Sequence, residues 1–219
     1  MMKTSHTATG ILTMVLLAIS LNMRAQGTWQ VPGKVAVPDE KKKEKVEKKS
    51  EKMEIITTLP LVEGKVVFQY TDTLQGISAS TLYERAYKWL ETATKEEGQL
   101  DSRIALVNTD SHQIIGKFSE WLYFSRSLLA VDRARFSYVI KIDCGDEIVH
   151  LTISRLFYHY DEDRPTRIDA SAEEWITDEK ALNKTRQKYI KGRRKFRETT
   201  IRRINEFHDR LLVALLKSE

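Results

Sequence analysis

The chain has 219 residues, 41% of them hydrophobic and 31% charged, with a formal net charge of +5. That suits one modest domain with appendages. Cys144 is the single cysteine, which excludes an intramolecular disulfide and leaves the fold to rest on its core.

The N-terminus opens Met1-Met2-Lys3, continues through the apolar run Ile11 to Ile19, and ends in Arg24-Ala25-Gln26-Gly27. A basic start, a short apolar core and a small residue at the cut describe a secretory signal over residues 1–25, cleaved after Ala25 or Gln26. The competing reading is an uncleaved anchor helix, but the run is shorter than the roughly 20 residues that span a bilayer. The expectation is an exported protein of the periplasm or cell surface, with no transmembrane segment in its mature chain. No cysteine stands near the cut to carry a lipid. Losing Lys3 and Arg24 lowers the net charge to +3, so charge alone does not point to nucleic acid.

Residues 26–60 read as a flexible linker. Asp39 to Lys52 alternates Lys and Glu around one apolar residue, Val46. Such a stretch buries too little surface to offset its chain entropy. A polybasic membrane patch is the alternative, and the acids nearly cancel it.

A domain is predicted over residues 61–217. Lys65 to Tyr70 reads as a strand with Val66, Phe68 and Tyr70 on one face. Ser80 or Thr81 is expected to cap a helix, Glu84 completing a capping box with Thr81. Leu82, Ala86, Trp89, Leu90 and Ala93 make its apolar stripe. Four strands follow: Arg103 to Asn108, His112 to about Phe124, Arg135 to Ile142, and Ile148 to about Tyr160. The first two form a hairpin through Asn108-Thr109-Asp110-Ser111. Gly116 reads as a bulge or crossing point. Phe136, Tyr138, Ile140 and Ile142 share a face, as do Val149, Leu151, Ile153 and Phe157. Asp143-Cys144-Gly145-Asp146 reads as a tight turn. After the acidic loop Asp161-Glu162-Asp163, a short helical turn is expected over Ala170 to Trp175. Helix is then expected from Asp178 to about Leu216, with Gly192 a possible break and Phe196, Thr200, Ile204, Phe207, Leu211 and Leu215 on one face. The fold class is α+β: one antiparallel sheet, helices on one face, in the order β-α-β-β-β-β-α.

Five segments carry a family resemblance. Gly64-Lys65-Val66-Val67-Phe68, the helix segment Leu82 to Leu90, and Ile114-Ile115-Gly116-Lys117 resemble exported bacterial domains of unknown function with a TBP-like fold, the fold of the TATA-binding protein. Glu173-Glu174-Trp175-Ile176 and Lys195 to Ile201 resemble the family's tail, so the likeness covers roughly residues 61–215. It implies the same order of elements and brings no catalytic residues with it.

Constellations for chemistry are sparse. His150 and His159, nine apart on one strand, are expected on opposite sides and unable to share a metal. No HExxH, Cys/His, GxSxG, Walker A or GxGxxG spacing occurs, so neither a metal nor a nucleotide cofactor is expected and an enzyme is not the leading reading. Asp143 and Asp146 flank Cys144 and disfavour a thiolate. As an exposed turn residue, Cys144 would instead be open to an intermolecular disulfide.

The strongest polar feature is the tail. Residues 184–219 hold twelve Lys and Arg against four acids, a charge of +8, while residues 55–183 carry −7. One reading is internal complementarity, with the basic helix lying across an acidic sheet domain. The other is a binding face for an anionic surface or a partner protein, built from Arg193, Arg194, Lys195, Arg197, Arg202 and Arg203. Nucleic acid is not expected, because an export signal takes the chain away from the chromosome. Trp121 and Tyr123 are candidates for the uncovered sheet face, and equally for core or edge packing. The functional expectation is a non-enzymatic binding or assembly module of the envelope. The alternatives are a small-ligand carrier with a pocket gripped by the long helix, or an enzyme with an unrecognised site.

Overall fold

The computed structural model describes residues 58–127, 130–186 and 188–217. The expected signal and nearly all of the linker lie outside them. The elements are β1 (Leu61–Val62), β2 (Lys65–Val66), β3 (Phe68–Thr73), α1 (Ala79–Ala93), β4 (Arg103–Asn108), β5 (Gln113–Arg126), β6 (Val131–Gly145), β7 (Ile148–Tyr160), β8 (Ile168–Ser171), α2 (Ala172–Trp175), α3 (Asp178–Ala181) and α4 (Arg193–Leu216).

The main sheet is antiparallel, in the order β3-β7-β6-β5-β4. β8 shares one side of β7 with β3: β3 pairs with Ile148 to Ile153, and β8 with Phe157 to Tyr160. Period-two alternation sends Ile114, Phe118 and Leu122 of β5 inward, with Phe136, Tyr138, Ile140 and Ile142 of β6 and Val149, Leu151 and Ile153 of β7. Both long helices cover this one face. α1 contributes Leu82, Ala86 and Leu90, and α4 contributes Phe196, Ile204, Phe207, Leu211 and Leu215. Phe207 fills the centre, its ring 4.8 Å from Trp89 and 5.5 Å from Phe118. The space between α4 and the sheet is therefore occupied by aromatic side chains. Gly116 is the crossing point, since a Cβ there would stand 3.4 Å from Leu90 Cδ2 and 3.0 Å from Phe118 Cε2. Among the described residues no helix is long and apolar enough to cross a membrane.

Several local expectations are corrected. The cap of α1 is Ser78, whose Oγ accepts from the Thr81 amide at 3.4 Å, and not Ser80 or Thr81. A capping box does occur, but at α2, between Ser171 and Glu174. The strand read over Lys65 to Tyr70 is two elements, because β2 closes a small hairpin with β1 before β3 joins the main sheet. β8 is an additional strand. Cys144 is not in the turn: it lies in β6, 6% exposed, and Asp146-Glu147 makes the connection. Burial and, less strongly, the Asp143 charge push its thiol up to about 12.

The final helix begins at Arg193, not Asp178. α3 stops after one turn, Leu182 bridges to Tyr189, and Gly192 takes φ +85° as the N-cap of α4. Within β7, Arg155 takes φ +56°, and the β6–β7 register shifts beside it. Such a bulge inserts one residue and reverses the faces beyond it. Leu156 and Tyr158 are therefore buried and Phe157 is not. His150 and His159 come out on the same side, contrary to simple alternation. Each has its own partner there: Thr71 Oγ1 lies 2.9 Å from His150 Nδ1, and Asp169 Oδ1 lies 2.6 Å from His159 Nδ1.

Candidate functional site: the open face of the sheet

With both long helices on one side, the other side of the sheet is left open among the described residues. Cross-strand register decides which side chains meet on it. Trp121 stands opposite Arg135, and Tyr123 opposite Arg133. Both aromatic residues lie on the open side, because Leu122 between them is buried. Alternation sends the next residue, Phe124, inward to 4.5 Å from the Phe196 ring, and the register then slips between Tyr123 and Ser125.

This places four side chains in an alternating stack. The Arg133 guanidinium lies 3.8 Å from the Trp121 ring centre and 5.8 Å from that of Tyr123. On Tyr123, the Arg126 guanidinium sits at 3.5 Å. Arg133 also donates to Tyr123 Oη at 3.3 Å. Each guanidinium gains from the ring's quadrupole and is held in a narrow range of orientations. Among the described residues neither Arg126 nor Arg133 has a carboxylate partner. Their neighbours do: Arg135 pairs with Glu162 at 3.0 Å, Lys141 with Asp143 at 2.9 Å, and Arg167 with Asp169 at 2.6 Å. A hydrogen bond from His159 and, less strongly, the charge of Arg167 hold the Asp169 carboxyl below its usual range. Arg126 and Arg133 are exposed cations that the fold holds on aromatic rings without a carboxylate partner among the described residues.

The basic helix is disposed differently. Arg193 donates to the carbonyls of Glu174 and Trp175 at 3.2 and 3.3 Å, its guanidinium 4.0 Å from the Trp175 ring. Lys195 donates to Asp132 at 2.8 Å and to Tyr160 Oη at 2.9 Å. Burial works against its charge, and the bonds to Asp132 and Tyr160 outweigh that and raise its pKa. Arg197 is fully buried, bonded to the Ile176 carbonyl at 3.1 Å and paired with Asp178 at 2.5 Å. Arg203 makes a two-pronged contact with Glu120, both bonds 2.8 Å. Only Arg194 and Arg202, of the six, remain exposed on the helix, each near a Glu four residues on, at 2.7 and 3.8 Å. The six do not converge on one surface.

Glu120 is the residue that sequence reasoning overlooked. It lies on the inward face of β5, and besides Arg203 it accepts from Tyr138 Oη and Gln99 Nε2, each at 2.8 Å. Burial, followed by the adjacent Glu120 charge, raises the Tyr138 hydroxyl well above its usual range. Its signal in the sequence is parity: Glu120 is two residues from Phe118 and from Leu122, so it shares their buried face. Arg126 and Arg133 were also missed, because their pairing with the rings depends on the β5–β6 register. Among the described residues no group of three His, Cys, Asp or Glu is placed to hold a metal ion.

Comparisons with known proteins agree on the architecture. Residues 68–159 match the family model described as a domain of unknown function (DUF4468) with TBP-like fold. The crystal structure of a DUF4468 family protein from Bacteroides ovatus is 32% identical, with a TM-score of 0.66, over 73% of this chain and 91% of that one. A TBP-like protein from Parabacteroides distasonis shares the fold, with a TM-score of 0.60 at 18% identity, over 74% of this chain and 99% of that one. Among curated proteins none matches. With the sheet order, the one-sided helices and a relative of this identity and coverage in agreement, the chain belongs to the DUF4468 family of domains with a TBP-like fold.

Proposed function

We propose that this protein is an exported, non-enzymatic binding module that holds an envelope protein on the open face of its sheet. The observation that carries this reading is the Trp121–Arg133–Tyr123–Arg126 stack, in which two guanidiniums are fixed on aromatic rings and face no carboxylate among the described residues. Aromatic and arginine side chains on a rigid support are the residues that dominate protein interfaces. The acidic partner of this interface comes from another molecule. The internal pairing of Arg193, Lys195, Arg197 and Arg203 supports the sheet face over the basic helix as the contact surface. The basic signal at residues 1–25 supports the compartment.

The test is capture from an envelope fraction with the full chain and with the double variant Arg126→Ala, Arg133→Ala. The variant is expected to keep the thermal midpoint within a few degrees, since both side chains are exposed. Loss of two interface arginines is expected to weaken capture by about thirtyfold or more. The captured partner should also leave the native protein as salt rises. Equal capture by the double variant would remove the stack from the interface.

A further inference from the structure

β7 has no paired strand on one side for three residues. Ile153 pairs with Phe68 of β3 and Phe157 pairs with Ser171 of β8, and neither strand reaches Ser154, Arg155 or Leu156. The bulge at Arg155 falls in this interval. Together the gap and the bulge open a notch of about 500 Å³ on the sheet. That volume is in the range of small-molecule sites.

The lining has two parts. Val67, Leu156 and Phe157 give it an apolar floor. Lys65 and Arg155, both exposed, stand at its lip, and neither forms an ion pair among the described residues. Arg155 reaches this position through a φ of +56°, a conformation that glycine takes freely and arginine only at a cost. Glu173 also borders the notch, fixed by accepting the Val66 amide at 2.8 Å. Two cations and one carboxylate line the notch, and the Glu174 carboxylate, held by Ser171, lies near enough to Lys65 to feel its charge. The backbone of Ser154 to Leu156, without a strand on this side, adds hydrogen-bonding groups.

We propose that this notch binds a small monocarboxylate with a compact apolar body. The carboxylate lies between Lys65 and Arg155, and the body rests on Val67 and Phe157. A single negative charge suits the two cations, whereas a doubly charged anion meets the carboxylates of Glu173 and Glu174. The site uses none of the Trp121–Arg126 stack, so it stands or falls separately from the protein-binding reading.

Phenylacetate titrated into the ¹⁵N-labelled full chain tests it. Saturable shifts are expected at the amides of Lys65 to Val67 and Ser154 to Phe157. Acetate, which lacks the body, and benzyl alcohol, which lacks the charge, are each expected to bind about tenfold more weakly, as is inorganic phosphate. Arg155→Gly suits the positive φ and removes the cation; Lys65→Gln removes the other without touching the strand. Each is expected to weaken phenylacetate about tenfold while leaving shifts elsewhere unchanged. Absence of saturable shifts, equal binding of benzyl alcohol or phosphate, or unchanged affinity in both variants would overturn the proposal.

Discussion

Glu120 shows how one side chain ties the sheet to its cover. Its carboxylate sits on the inner face of β5 and accepts from Arg203, Tyr138 and Gln99, so a buried charge is fully partnered. Removing one member of such a pair leaves the other charged and desolvated, at a cost of about 3–5 kcal/mol. Replacing both by apolar residues of similar size is far milder. Arg203→Met and Glu120→Leu are therefore each expected to lower stability by about 3 kcal/mol, and the double variant to recover at least half of that loss. Urea unfolding of the four proteins checks this; additive losses would mean that the pair is not coupled. Cys144 makes a second prediction. Its thiol is raised from 9.0 to about 12 by burial first and by Asp143 second. The folded protein thus favours the neutral thiol. The associated stability is complete below pH 9 and declines as pH rises from there towards 12. At pH 8 a disulfide reagent is expected to label native Cys144 more than about a hundredfold more slowly than the urea-unfolded chain. Fast labelling of the native protein would place the thiol at the surface.

At the level of elements, Gly192 separates the loop from α4. It has φ +85°, and a Cβ at this position would meet nothing within 4 Å, so a substitution there acts through the backbone alone. Gly192→Ala is expected to cost about 1 kcal/mol, read as a lowered urea midpoint with an unchanged slope. A midpoint unchanged or raised would mean that the helix start tolerates an ordinary backbone. The same position shows what the sequence made legible. Gly192 stood out as a break, but helix formers on both sides of it suggested one continuous helix. The stop after Ala181 depends on the Leu182–Tyr189 bridge, a tertiary contact without a compositional mark. The apolar stripe of α1 and the alternation of β6 were legible because each is long and strictly periodic. β7 was legible only as far as Ile153. Arg155 is not a residue that announces a bulge, so the faces of Phe157 and His159 came out reversed. β8 has four residues and follows a polar loop, too short for a period to show. For the site, Trp121 and Tyr123 stood out near the end of an irregular strand as candidates for the open face, and equally for core or edge packing. Their cations needed the hairpin register, which sequence alone does not supply.

Across the whole molecule, the charge division between residues 55–183 and the tail has a structural use. α4 is fastened to the rest of the domain by Lys195 to Asp132, Arg197 to Asp178, Arg203 to Glu120, Arg210 to Glu96 and His208 to Asp72. Beneath these pairs Phe196, Ile204, Phe207, Leu211 and Leu215 supply a large share of the core. A helix so placed is half of a two-layer domain, since an antiparallel sheet with one apolar face needs a cover to be stable. A chain ending at Ile190 is therefore expected not to fold cooperatively. It would lose near-ultraviolet circular dichroism and its thermal transition, while binding a dye for exposed apolar surface. The contrasting variant is Arg194→Glu with Arg202→Glu, which changes the exposed charge of α4 and leaves its buried face intact. Its thermal midpoint is expected within a few degrees of the parent, because exposed ion pairs contribute about 0–1 kcal/mol. A truncated chain with a sharp transition would make α4 an accessory to the fold. A collapse of the charge-reversed protein would mean that its exposed cations, and not its apolar face, hold it to the sheet.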